Sequence, residues 1–214
     1  MNDRIDRLTW IDLETTGFEP GTSAPGDHAI LELGIVITEA DLTVVASRSW
    51  VVWQPPSVLA RMDDHVRKMH TASGLLDEVA AIHLSDDKWI NDKCVCNVDD
   101  VAGEALLFLR NHVDPRTSPL CGSSVWFDHG FLIRDMPYVR GHLHYRMIDV
   151  STIKELARRW CPGLEPAKKL AHRALPDLRE TLAEAALYRD MIFARPDPSW
   201  DLGERDTMAD RGTT

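Results

Sequence analysis

Leu8-Thr9-Trp10-Ile11-Asp12-Leu13-Glu14-Thr15-Thr16-Gly17 is the stretch whose reading decides the fold. Residues 8–13 are apolar and β-prone until acidic residues intervene, which marks a buried strand running into Glu14-Thr15-Thr16-Gly17. Asp12 and Glu14 lie two residues apart, so on a strand their side chains share one face. Two like charges at the end of an apolar strand are costly unless something positive neutralises them. An Asp-x-Glu pair on its own fits a solvated strand end. It also fits a pair of oxygen ligands for a hard divalent cation, Mg²⁺ or Mn²⁺.

Working outward, residues 19–28 are rich in Gly, Pro, Ser and Asp and read as a loop. Ala29–Thr38 and Leu42–Trp53 are strand-like, with Asp41 as a turn residue, so the first three strands form an antiparallel meander. Pro55-Pro56 stops the third strand. Helical spacing covers Ser57–Met69 and Ser73–Ile82, and residues 83–98 lack periodicity and read as an irregular excursion. Asp99-Asp100 read as the cap of a helix reaching His112. Ser118–Ser123 is a strand, Trp126–Arg134 a helix, Met147–Val150 a strand and Ser151–Trp160 a helix with Ser151 as its cap. The last helix spans Pro176–Phe193, with proline in its first turn. Strands that go on to alternate with helices predict a mixed α/β sheet in one domain over 1–194. Residues 195–214 read as a polar, turn-rich, flexible tail.

The chain has 214 residues, 44% of them hydrophobic and 27% charged, which excludes a disordered or disulfide-dense polypeptide. With 34 acidic against 24 basic residues its net charge is −10, the wrong sign for gripping a long duplex by its phosphates. No signal peptide or membrane span is read, and the four cysteines lack zinc spacing, so free thiols in the cytoplasm are expected. None of the seven tryptophans alternates with a basic run, so they are assigned to packing.

Further carboxylates sit at element ends. Asp128 opens a helix after Cys121-Gly122-Ser123-Ser124, and His172 and Asp177 flank the entry to the last helix. Histidine has the unperturbed pKa to take a proton from water near neutrality. Two divalent ions, a bridging carboxylate and such a base suit in-line hydrolysis of a phosphodiester.

In order, Asp12-Leu13-Glu14-Thr15-Thr16-Gly17, Asp128 and His172-x-x-x-x-Asp177 resemble the three motifs of the histidine-containing DEDD exonucleases. Met69–Leu76, Cys121–Ser124, His144–Trp160 and His172–Leu175 bring the resemblance closer to oligoribonucleases, which degrade very short RNAs from the 3′ end. It runs from about Leu8 to Phe193, and the His144–Trp160 block is its most specific part. The resemblance implies an RNase H-like fold, a five-stranded mixed sheet flanked by helices. It implies Asp12, Glu14, Asp128 and Asp177 as ligands of two Mg²⁺ or Mn²⁺ ions, and His172 as general base. It further implies preference for dinucleotides among single-stranded RNAs of roughly two to five nucleotides. The chain is expected to be a homodimer in which Tyr145 reaches the partner's site. Substrate contacts fall on Phe18, His70, Ser124, Arg146 and Ser151, with Phe18 where the family usually has a leucine between the two bases.

The chain departs from the family at Thr15 (usually Met), Ser123 (usually Asn) and His65 (often Trp). Thr15 agrees with proofreading-type enzymes and keeps a DNA-directed exonuclease as the alternative. A catalytically inactive binding module is the third reading, opposed by four carboxylates that would destabilise the fold without ions. Asp149 is read as structural, a helix cap or an ion-pair partner of Arg158 or Arg159.

Overall fold

The structure, a computed structural model, describes residues 6–18, 26–82, 89–90, 93–161, 163–164 and 171–193. The tail, residues 19–25 of the first loop and the side chains of Cys94 and Cys96 lie outside this set. Strands β1 (Leu8–Thr15), β2 (Ile30–Thr38) and β3 (Val44–Val52) pair as the expected antiparallel meander. β6 (Leu120–Gly122) joins β1 in parallel, and β7 (Met147–Asp149) joins β6 in parallel. The order β3-β2-β1-β6-β7 is the five-stranded mixed sheet. The structure extends it to seven strands, because β4 (Trp89–Ile90) and β5 (Lys93–Cys96) add to the β3 edge. The excursion read over 83–98 therefore contains two strands too short for a period-2 pattern to register.

Helices α1 (Pro56–Leu59), α2 (Asp64–Ala72) and α3 (Leu75–Ala81) replace the two longer helices expected between 57 and 82. Asp63 ends the first piece, because its carboxylate accepts the amide of Val66 and restarts the chain as α2. Helix α4 (Val98–His112) is capped by Asn97 accepting from Asp100, not by the Asp pair itself. Asp99 and Asp100 fall in its first turn, and Arg110 and His112 in its last, each where the helix dipole favours that charge. Helix α5 (Val125–Asp135) is followed by α6 (Pro137–His142), which the sequence reading passed over. Helix α7 (Val150–Trp160) is capped by Asp149, not Ser151, while Arg158 and Arg159 pair with Glu155. Helix α8 runs Ala174–Met191.

Both faces of the sheet are covered, which is why β1 and β2 read as nearly continuous apolar runs. Ile11, Leu13, Leu33, Ile35 and Ile37 pack with Val101, Ala105 and Leu109 of α4 and with Phe131 and Leu132 of α5. On the opposite face Trp10 and Val36 pack with Val150 and Ala157 of α7 and Leu178 and Leu182 of α8. Each valine, leucine, isoleucine or phenylalanine among them contributes about 1.5–3 kcal/mol when fully buried. Among the described residues no helix is long and apolar enough to cross a membrane.

The position of α8 depends on one missing side chain. In the β1–β2 register Gly34 stands opposite Asp12, and a Cβ at Gly34 would lie 2.7 Å from the Cβ of Ala174. The helix start thus rests directly on the backbone of β2. Gly34→Ala is expected to cost about 1–3 kcal/mol through overpacking. Urea unfolding should show that loss, with partial recovery in the Gly34→Ala/Ala174→Gly double variant.

Candidate active site

On β1, the residues facing α8 include Asp12 and Glu14. Asp177 in the first turn of α8 comes down onto them, and one carboxylate oxygen from each of the three lies within 4.8 Å of the others. Glu14 is buried, and burial together with Asp12, Asp177, Glu32 and Asp128 raises its pKa from the ordinary 4.5 to about 9. Asp177 is also raised by burial, partly offset by the amide of Ala171, which donates to its Oδ1 at 3.0 Å. Asp128 arrives from α5 and is almost completely buried, with its Oδ1 accepting the amide of Leu13 at 2.9 Å. Burial, and then Asp12 beside it, push its carboxyl well above the usual range. Four acidic groups so crowded resist holding their charge together. An all-oxygen set of this kind suits a hard divalent cation, which would supply the missing positive charge.

His172 stands in the turn that leads into α8, at φ 52°, a left-handed conformation uncommon for a side-chain-bearing residue. It is half-buried and lines a cavity of about 460 Å³ with His65, Lys68, Met69, Ala72, Ser73 and Ala171. The next residue anchors the turn. The guanidinium of Arg173 donates to Glu32 at 2.8 and 3.3 Å and to Glu78 at 2.7 and 3.0 Å, and the amide of Ala174 donates to Glu32 at 3.2 Å. Burial by itself would lower the pKa of Arg173, but the two carboxylates outweigh it and hold the group above its usual range. Glu32 is the cross-strand partner of Glu14, so Arg173 also relieves repulsion between facing acids. The sequence reading missed this clamp. Its signal was available as a lone Glu32 inside the apolar run of β2, which demands a buried cation.

A second polar group lies across β6 and β7. Ser124, at φ 57°, caps the start of α5 without a side-chain bond. Asp149 Oδ1 accepts the amides of both Ser124 and Ser151 at 2.9 Å, and the Ser151 hydroxyl meets those of Ser123 and Ser124 at 3.0 and 3.1 Å. Arg146 is exposed beside the Tyr145 ring at 5.5 Å. Tyr145 is itself exposed and lines a separate cavity of about 490 Å³ with His129, Ile133, Arg140 and His144. His70, expected on the substrate, is instead fully buried. Its Nε2 donates to the carbonyl of Thr15 at 2.8 Å, and its Nδ1 lies 3.8 Å from Glu14. Burial lowers its pKa, as suits a neutral ring bracing the strand.

The exonuclease family RNase T matches residues 9–185. An oligoribonuclease of Streptomyces avermitilis is 42% identical over 209 residues, covering 95% of each chain. That of Thiobacillus denitrificans is 42% identical over 186 residues, 86% of this chain and 93% of the relative. The chain belongs to the oligoribonuclease family. Among solved structures, exonuclease I from Methylocaldum szegediense superposes with a TM-score of 0.61 at 17% identity. The zinc-bound E. coli ExoI–ssDNA complex superposes at 0.57 and 12%. Each match spans 41% of the longer exonuclease chain and shows a shared fold.

Membership of the oligoribonuclease family makes the acidic cluster the centre of interest, and two measurements probe it. Between pH 4.5 and 9 the metal-free folded protein keeps a proton on Glu14 that the unfolded chain has lost. Its melting temperature should therefore fall as pH rises through that window, while the gain on adding a divalent cation grows. Arg173→Met leaves Glu32 buried without its cation and is expected to cost about 3–5 kcal/mol in urea unfolding, with part of the loss recovered by adding Glu32→Gln.

Proposed function

We infer that the protein is a metal-dependent 3′→5′ exoribonuclease, and we propose RNAs of a few nucleotides, dinucleotides above all, as its substrates. The observation that carries the reading is the convergence of Asp12, Glu14 and Asp177 beside the strained turn of His172. Asp12, Glu14 and Asp177 would hold one divalent ion, and Asp12 with Asp128 a second; we propose Mg²⁺ or Mn²⁺. Bound there, such ions would supply positive charge to the phosphate and would lower the pKa of a bound water. His172 then accepts a proton on its imidazole from the attacking water. As the water oxygen bonds to phosphorus, the P–O3′ bond of the terminal linkage breaks and the departing oxygen takes a proton from solvent, leaving a nucleoside 5′-monophosphate and a strand ending in a 3′-hydroxyl.

Short substrates are supported by three features. The curated relatives carry the name oligoribonuclease. A net charge of −10 offers poor grip for a long phosphate backbone. The Ser124 and Ser151 hydroxyls meet beyond the ends of β6 and β7, where a terminal 5′ phosphate would find hydroxyl donors, and Arg146 is proposed as its guanidinium donor. A homodimer in which Tyr145 reaches the partner's site is proposed, and the exposure of Tyr145 on a separate cavity supports it. Thr15, the residue that pointed to a proofreading enzyme, is buried and its hydroxyl donates to the carbonyl of Gly17. It shapes the turn after β1.

With Mg²⁺ or Mn²⁺ the protein should cleave a 5′-phosphorylated diribonucleotide faster than a long single strand. EDTA or Asp12→Ala should abolish the reaction. His172→Ala should lower kcat by about 10²–10⁴-fold while calorimetry still detects divalent binding. Equal rates on the short and long RNA would remove the short-substrate reading.

A further inference from the structure

Residues 143–146 join α6 to β7, and Tyr145 stands on this link with 72% of its surface exposed. A tyrosine so open to water would ordinarily sample several orientations. Here the backbone beneath it is tied down at consecutive residues. The amide of His144 donates to the Ser118 carbonyl at 2.8 Å. The guanidinium of Arg140 reaches forward from α6 and donates to the carbonyls of His144 at 3.0 Å and Tyr145 at 3.2 Å. The amide of Arg146 in turn donates to Nδ1 of His144 at 3.1 Å. The ring itself is flanked, by the His144 imidazole at 4.4 Å and 33° and by the Arg146 guanidinium carbon at 5.5 Å.

Arg140 holds this arrangement together. Its planar fork fits two acceptors at once, and the charge on the donor strengthens both bonds. The side chain is half-buried, and its Nε is buried without a partner among the described residues. The carbonyls of His144 and Tyr145 are therefore what fix its placement. The main-chain carbonyl of Arg140 also accepts the amide of Leu143 at 3.2 Å, so one residue grips the link at three successive positions. The sequence reading gave Arg140 no role, because α6 was passed over. We propose that Arg140 is a positioning residue, which sets the backbone at His144 and Tyr145 and so aims the Tyr145 ring at the partner's site. The proposal rests on the homodimer reading above. A ring ordered before the subunits and substrate meet does not have to be ordered at each turnover.

Arg140→Met removes both bonds and should lower kcat/KM on a 5′-phosphorylated diribonucleotide by about 10- to 100-fold, the scale on which small misplacements act. Arg140→Lys should recover only part, since an ammonium does not span two carbonyls as the fork does. Complementation separates positioning for the partner from a structural role within one subunit. A heterodimer of Arg140→Met with Asp12→Ala joins a live site to an intact Tyr145 link from the other subunit. Activity per Arg140→Met subunit should return to near that of the unaltered protein. A heterodimer of Tyr145→Ala with Asp12→Ala is the control and should recover likewise. Recovery of the control alone overturns the proposal and leaves the homodimer reading standing. Recovery of neither overturns both. A monomeric Arg140→Met, seen by solution mass, also overturns the proposal, because Arg140 would then be a subunit contact.

Discussion

Crowding of negative charge on one face of two strands is the constraint from which the rest of the molecule follows. Asp12 and Glu14 on β1 face the same side as Glu32 on β2, and Asp177 and Asp128 are brought in from two helices. Such a cluster would push the layers apart without compensation. Arg173 supplies the permanent part, a guanidinium shared between Glu32 and Glu78 and tying the start of α8 to β2 and α3. The carboxylates left without it are those that fit a divalent cation.

The same device sets the geometry of catalysis. Arg173 follows His172 directly, so the clamp that neutralises Glu32 also fixes the turn carrying the proposed base. Gly34 lets Ala174 rest on the sheet, and the amide of Ala171 holds Asp177. His172 and Ser124 both adopt left-handed backbone conformations, each costing about 1–3 kcal/mol. Both are held by neighbours that bond across elements: Arg173 for the first, Asp149 for the second. Strain is thus found at the two turns where substrate groups are proposed to meet the protein.

Legibility differed sharply between kinds of feature. The meander β1–β3 and the buried face of α4 were readable because each repeats an apolar period over several residues. The break between α1 and α2 was not, since Asp63 interrupts a pattern that remains helical on both sides. Strands β4 and β5 were too short to show alternation. His70 shows what a motif leaves open: its place in a recognisable stretch points to substrate, and the fold adds a buried contact with the Thr15 carbonyl beside Glu14. A motif specifies which residues stay together in sequence but says little about which side of a helix they occupy.

Taken by itself, the sequence determined the class of fold and the chemical kind of the site. Apolar periodicity dictates which segments become strands and helices, and the order of Asp12, Glu14, Asp128, His172 and Asp177 points to phosphodiester hydrolysis. Only the tertiary structure decided how those groups are held. The Arg173 clamp joins residues 141 and 95 positions apart. Such contacts depend on strand register and helix docking, which arise from packing many side chains at once and leave no local pattern in the chain.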